Sequence, residues 1–144
     1  MPEIPEQRGR VLVAEDDDSL RRLLELRLIA DGWDVRVAED GIGVLCLVED
    51  WTPDVIVCDV MMPHLSGLSV CRELRERAEF AKLPILLLTA RYFDEDIQEV
   101  MKLGNITYMG KPFDFQQLDE TLRVMRRDGF VSPQLATQLH RAAS

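Results

Sequence analysis

Five residues in this chain combine chemistry with a telling place: each stands at or just beyond the end of a short apolar run. Glu15 and Asp16 follow VLVA (11–14), Asp59 closes DVIVCD (54–59), Thr89 closes PILLLT (84–89), and Lys111 follows ITYM (106–109) through Gly110. If the runs are neighbouring strands, three carboxylates, a hydroxyl and a lysine meet in one place. Carboxylates that meet raise one another's pKa unless a positive charge intervenes. A hard divalent cation relieves them, and magnesium fits best, because it takes a few carboxylates, keeps several waters and completes its shell with phosphate oxygens. Lys111 adds a charge suited to a phosphoryl oxygen, and Thr89 a hydrogen-bond donor. The chemistry expected of this set is phosphoryl transfer.

The elements that must position these residues are legible from hydrophobic period. Strands are predicted at 11–14, 33–39, 54–59, 84–89 and 106–109, three of them near-continuous apolar runs of the kind covered on both faces in a parallel sheet. Between them Leu20, Leu23, Leu24 and Leu28 keep helical spacing, as do Ile97, Val100 and Met101 in part, and Phe115, Leu118, Leu122 and Met125. Gly32 and Gly104 are stop signals, and Asp17 and Asp18 suit the start of the first helix, where carboxylates accept from free amides and face the positive end of the dipole. Strands alternating with helices predict a doubly wound α/β sandwich, and open sheets of that kind bind ligands beyond the carboxyl ends of their strands.

Bulk properties narrow the function. The 144 residues, 47% hydrophobic, suffice for one domain with a real core. A net charge of -9 excludes a direct nucleic-acid surface, which needs clustered Lys and Arg. Cys46, Cys58 and Cys71 lack metal-site spacing and sit in apolar stretches, so they are read as packing in a reducing cytoplasm. The opening MPEIPEQRGR has no apolar signal stretch and no run reaches the roughly 18 apolar residues of a membrane span, so a soluble protein is expected.

VLVAEDDDSLRRLL, DVIVCDVMMPHLSG, PILLLTA and YMGKPF resemble, in order and spacing, the receiver domain of two-component response regulators. The resemblance covers about residues 10–127, leaving 1–9 as a flexible N-terminus and 128–144 as a helical extension or linker. It implies a (βα)5 flavodoxin-like sandwich with a five-stranded parallel sheet of order 2-1-3-4-5. It assigns Asp59 as phosphoacceptor, Glu15, Asp16, Asp59 and the backbone carbonyl of Met61 as Mg2+ ligands, and Thr89 and Lys111 as partners of the phosphoryl group. Tyr108 matches an aromatic position that turns inward on activation as Thr89 moves, and Lys111-Pro112 matches a bend that is usually cis. The partners implied are a histidine kinase or histidine phosphotransfer protein and a downstream effector domain or protein, with a homodimer through the fourth helix, fifth strand and fifth helix as a further mode.

Some positions depart from the pattern. Asn105, Ile106 and Thr107 replace a GADDY-like turn, and Gln117 and Thr121 stand where winged-helix members usually carry Glu and Arg, which speaks against that subfamily's homodimer. His64 is read as an exposed loop residue. In the tail, Ser132-Pro133 is a helix start, with Leu135 and Leu139 four apart. FVSPQLATQL resembles the segment leading into the catalytic domain of some class III nucleotide cyclases; the alternative is a stand-alone receiver with a helical extension.

Two other function classes compete. An aspartate-nucleophile hydrolase of the haloacid dehalogenase type needs a second aspartate two residues after the first, where this chain has Met61. A phosphorylation-independent receiver-like interaction module would commonly lack an acidic residue or the lysine; this chain has all five. The favoured expectation is therefore a self-modifying switch and not an enzyme that turns over an external metabolite.

Overall fold

The computed structural model describes residues 8–90 and 94–129. Five strands, β1 (Gly9–Ala14), β2 (Trp33–Ala38), β3 (Val55–Asp59), β4 (Ile85–Thr89) and β5 (Ile106–Gly110), alternate with helices α1 (Asp18–Ala30), α2 (Gly41–Asp50), α3 (Gly67–Glu76), α4 (Glu95–Met101) and α5 (Phe115–Asp128). The strands form one sheet of order β2-β1-β3-β4-β5 with every pairing parallel. This is the predicted doubly wound sandwich, including its strand order.

The apolar runs bury both faces, and their period of two sorts residues between layers. Leu12, Ile56, Cys58, Ile85 and Leu87 pack with Val44, Val48, Val70, Leu74, Ile97 and Val100 of α2, α3 and α4. Val11, Val13, Val55, Val57, Leu86 and Leu88 pack with Leu24 and Leu28 of α1 and Leu118, Leu122 and Met125 of α5. Fully burying such a side chain contributes roughly 1.5–3 kcal/mol, so the continuous runs that look featureless in sequence anchor both layers at once.

Capping follows the predicted chemistry. Asp17 is the N-cap of α1 and accepts from the Leu20 amide at 2.8 Å, with Asp18 in the first turn. Gly104 (φ 94°) and Asn105 (φ 56°) make the turn between α4 and β5 in left-handed conformations that Gly and Asn tolerate best. Asn105 also donates its side-chain amide to the Lys82 carbonyl at 3.0 Å, a local use that suits its departure from the expected turn.

Three expectations need correction or placement. Gly9, assigned to a flexible N-terminus, belongs to β1, paired in register with Trp33. Cys46 is exposed on α2, whereas Cys58 and Cys71 are buried as predicted; apolar neighbours in sequence do not decide which face of a helix a residue occupies. The tail reading, from Phe130 onward, lies outside the described residues. Among the described residues, no helix is long and apolar enough to cross a membrane.

Candidate functional site

The carboxyl ends of β1, β3, β4 and β5 deliver the site. Parallel pairing sets Ala14 beside Cys58, Asp59 beside Leu88, and Thr89 beside Gly110, so the residues that end each strand lie along one edge of the sheet. Glu15 is 2% exposed, Asp59 6% and Thr89 2%, whereas Asp16 is exposed. Burial of this kind is costly for carboxylates without compensation.

Part of that compensation is Lys111. Its Nζ lies 2.8 Å from Asp59 Oδ2 and 3.4 Å from Glu15 Oε2, and its backbone amide donates to the Thr89 carbonyl at 2.7 Å. The Lys111-Pro112 peptide is cis, as the resemblance implied. Asp59 Oδ1 accepts from the Met61 amide at 3.2 Å, and Glu15 Oε1 from the Asp17 amide at 3.4 Å. Carboxylate oxygens of Glu15, Asp16 and Asp59 all lie within 4.8 Å of one another, close enough to share one metal ion.

The electrostatics record an incompletely balanced site. Burial, together with the hydrogen bond and negative charge of Asp59, pushes the Glu15 carboxyl up to about 7 despite Lys111. Burial also disfavours the Lys111 ammonium, but its contacts with Asp59 and Glu15 outweigh this and hold its pKa above the ordinary lysine value. One ammonium does not satisfy three carboxylates, and the arrangement retains an appetite for further positive charge. The donor set, all oxygen and mostly anionic, is that of a hard divalent cation.

The other residues singled out in the sequence lie in the loop after β3, on β5 and on α5. Met61 is 60% exposed, and Tyr108, in the middle of β5, is 36% exposed. His64 is exposed, with φ of 68° in the loop after β3. Thr121 is buried, its hydroxyl donating to the Gln117 carbonyl at 2.7 Å, so that position offers no polar head to a second copy.

Two supports escaped the sequence reading. Gly67, the first residue of α3, donates its amide to the Val60 carbonyl at 3.0 Å, and a Cβ there would overlap the carbonyl oxygen of Asp59. At the head of α2, a Cβ on Gly41 would come within 2.5 Å of the Leu65 carbonyl oxygen. The signal for Gly67 was present in MMPHLSG, where a glycine just after a loop marks either a turn or a close approach of backbone; only the structure distinguishes the two.

Comparison with known proteins agrees with this geometry. The family model for the response regulator receiver domain matches residues 11–123. Response regulator MprA of Mycobacterium sp. (strain KMS) is 40% identical over 118 residues, covering 82% of this chain and 50% of that protein, so the chain spans about half the length of this relative. A putative response regulator from Chloroflexus aurantiacus superposes with a TM-score of 0.76 at 31% identity, covering 83% of this chain and 98% of that one. The receiver domain of sensor histidine kinase PA1611 from Pseudomonas aeruginosa PAO1, solved with a magnesium ion coordinated in its active site cleft, superposes with a TM-score of 0.76 at 28% identity, covering 83% of this chain and 98% of that one. With fold, strand order and sequence match over most of its length in agreement, the chain belongs to the response regulator receiver domain family.

Proposed function

We propose that this receiver is phosphorylated on Asp59, taking the phosphoryl group from the phosphohistidine of a histidine kinase or a histidine phosphotransfer protein, and that the modification switches a downstream effector domain or protein. The observation that carries the reading is the convergence of Lys111 with Asp59 and Glu15, at 2.8 and 3.4 Å, beside the exposed carboxylate of Asp16. In the step itself an Asp59 oxygen forms a bond to phosphorus as the bond to the donor imidazole breaks. The electron pair leaves with the imidazole nitrogen, which takes up a proton.

A carboxylate is a weak nucleophile, so such a site works through positioning and charge neutralisation. Lys111 neutralises charge on the phosphoryl oxygens, and the Thr89 hydroxyl donates to one of them. Glu15, Asp16, Asp59 and the Met61 carbonyl would hold Mg2+. The bound ion supplies charge neutralisation and alignment of phosphate oxygens. The fit to this cation rests on the clustered carboxylate oxygens and on the raised pKa of Glu15 in their company.

On this reading the chain modifies itself and turns over no external metabolite, and it works in the cytoplasm with its kinase. Output runs through the surface of α4, β5 and α5, with Thr89 and Tyr108 as the moving pair. The buried Thr121 favours a heterologous partner over a winged-helix-type homodimer on that surface. The test is intact-mass measurement after incubation with a small phosphodonor and Mg2+. The wild type gains one phosphoryl group and Asp59→Asn gains none; an equal gain in both proteins would sink the assignment.

A further inference from the structure

The geometry points to Arg21 as a positioning residue that holds the acidic loop after β1 in its cation-binding shape. This inference rests on the Mg2+ reading above. Arg21 lies in the opening turns of α1, near the positive end of the helix dipole, where a basic side chain is electrostatically misplaced. Its guanidinium is nevertheless folded inward: the side chain is only 14% exposed, against 68% for the neighbouring Arg22. Something local must offset the cost of that placement.

The partners explain it. Arg21 Nη1 donates to the backbone carbonyl of Glu15 at 3.0 Å, while Nη2 bonds Asp18 and lies 3.6 Å from Glu39 Oε1. Glu39 follows β2 and Asp18 opens α1, so one planar head ties the ends of two neighbouring strands and the start of a helix together. The Glu15 amide is already fixed by the Ala38 carbonyl at 3.1 Å. With its carbonyl held by Arg21 as well, the backbone of Glu15 is gripped on both sides, and the peptide joining it to Asp16 cannot rotate freely. Both side chains that leave this peptide belong to the carboxylate cluster.

Arg21 could act on a cation in two opposed ways. Its charge repels a second cation, whereas its hydrogen bond fixes the ligands that attract one. Because Asp18 and Glu39 balance the guanidinium charge, the positioning effect dominates. Partners that orient metal ligands typically matter by 10–100-fold in affinity. A lysine keeps the charge but has no fork with which to hold a carbonyl and a carboxylate in one plane.

The test uses the whole chain and Mg2+ alone, titrated by calorimetry into wild type, Arg21→Lys, Arg21→Met and, as the control for the site itself, Asp16→Ala. Affinity is expected to fall in the order wild type, Arg21→Lys, Arg21→Met, with the last weakened on the order of tenfold. In metal-free protein, amide exchange at Asp16 and Asp17 is expected to quicken in Arg21→Met. Thermal melting run in parallel separates this from a merely structural role, which would lower the melting temperature and leave the affinity of the folded protein unchanged. Equal or tighter Mg2+ binding by Arg21→Met overturns the proposal. Should that variant fail to fold, Arg21→Lys decides alone, and an affinity equal to wild type overturns it. If wild type itself shows no Mg2+ binding that Asp16→Ala abolishes, the underlying cation reading fails first and takes the inference with it.

Discussion

Lys111 and Asp59, 52 residues apart in sequence, are joined by a 2.8 Å bond between Nζ and Oδ2, and the same ammonium reaches Glu15 Oε2 at 3.4 Å. In the metal-free protein this is the counter-charge that the two buried carboxylates share. Removing one partner of such a group leaves the other charged and desolvated, which costs more than the pair contributes. Lys111→Met is therefore expected to destabilise the metal-free protein by about 1–3 kcal/mol in denaturant titration. Lys111→Met/Asp59→Asn should recover part of that loss, because the orphaned charge is gone. A double variant no more stable than Lys111→Met would show that the two residues are not coupled.

Glu15 yields a pH dependence of definite sign. Its pKa is about 7 in the folded metal-free protein, against 4.5 in an unfolded chain, so the folded state holds this proton more tightly. The stability it contributes is fully present below about 4.5 and is lost as pH rises through about 7. A bound cation stabilises the ionised form and reverses the penalty. Mg2+ should therefore raise the melting temperature more at pH 8 than at pH 6. An equal or smaller rise at pH 8 would contradict the linkage.

Gly67→Ala tests how closely the head of α3 must approach the end of β3, which carries Asp59. The added methyl would meet the Asp59 carbonyl oxygen and lie 3.1 Å from both the Asp59 carbonyl carbon and the Val60 Cα, all backbone atoms that cannot swing aside like a side chain. Overpacking of this kind costs about 1–3 kcal/mol. The larger effect should fall on the site, because the displaced backbone carries Asp59 itself. Chemical denaturation and amide shifts at residues 59–62 would check both parts, and a variant with native stability and unmoved shifts would refute the steric argument.

Legibility in the sequence followed the physics of each element. The strands were readable because a parallel sheet buried on both faces needs unbroken apolar runs, and their ends pointed to Glu15, Asp16, Asp59, Thr89 and Lys111. Helix α1 was readable from its leucine spacing and its aspartates. Helix α2, GIGVLCLVED, carries two glycines and apolar residues on both its buried and exposed faces, so period alone does not announce it, and the same ambiguity hid the exposure of Cys46. Arg21 stayed hidden for another reason: a basic residue in DDDSLRR looks like a solvated charge until its carbonyl partner is seen. Its neighbour Arg22, with the same side chain, is mostly exposed.

The last prediction concerns output. A phosphoryl group on Asp59 adds about two negative charges and three acceptor oxygens, and both Lys111 and the Thr89 hydroxyl are expected to turn toward it. Thr89 is the final residue of β4, paired with Gly110, and its carbonyl holds the Lys111 amide at 2.7 Å. A shift at Thr89 is therefore expected to reach β5, where Tyr108, 36% exposed, is expected to turn inward. A modification shifts such an equilibrium only by its differential stabilisation of two states, so the unphosphorylated protein should already visit the active form at low population. Amide shifts recorded before and after addition of beryllofluoride with Mg2+ would test this. The expected result is a set of large changes running from Thr89 through β5 and along the α4 and α5 face, beyond the immediate neighbours of Asp59. Changes confined to residues 59–67, with residues 94–125 untouched, would show that the α4, β5 and α5 surface is not where the signal leaves the domain.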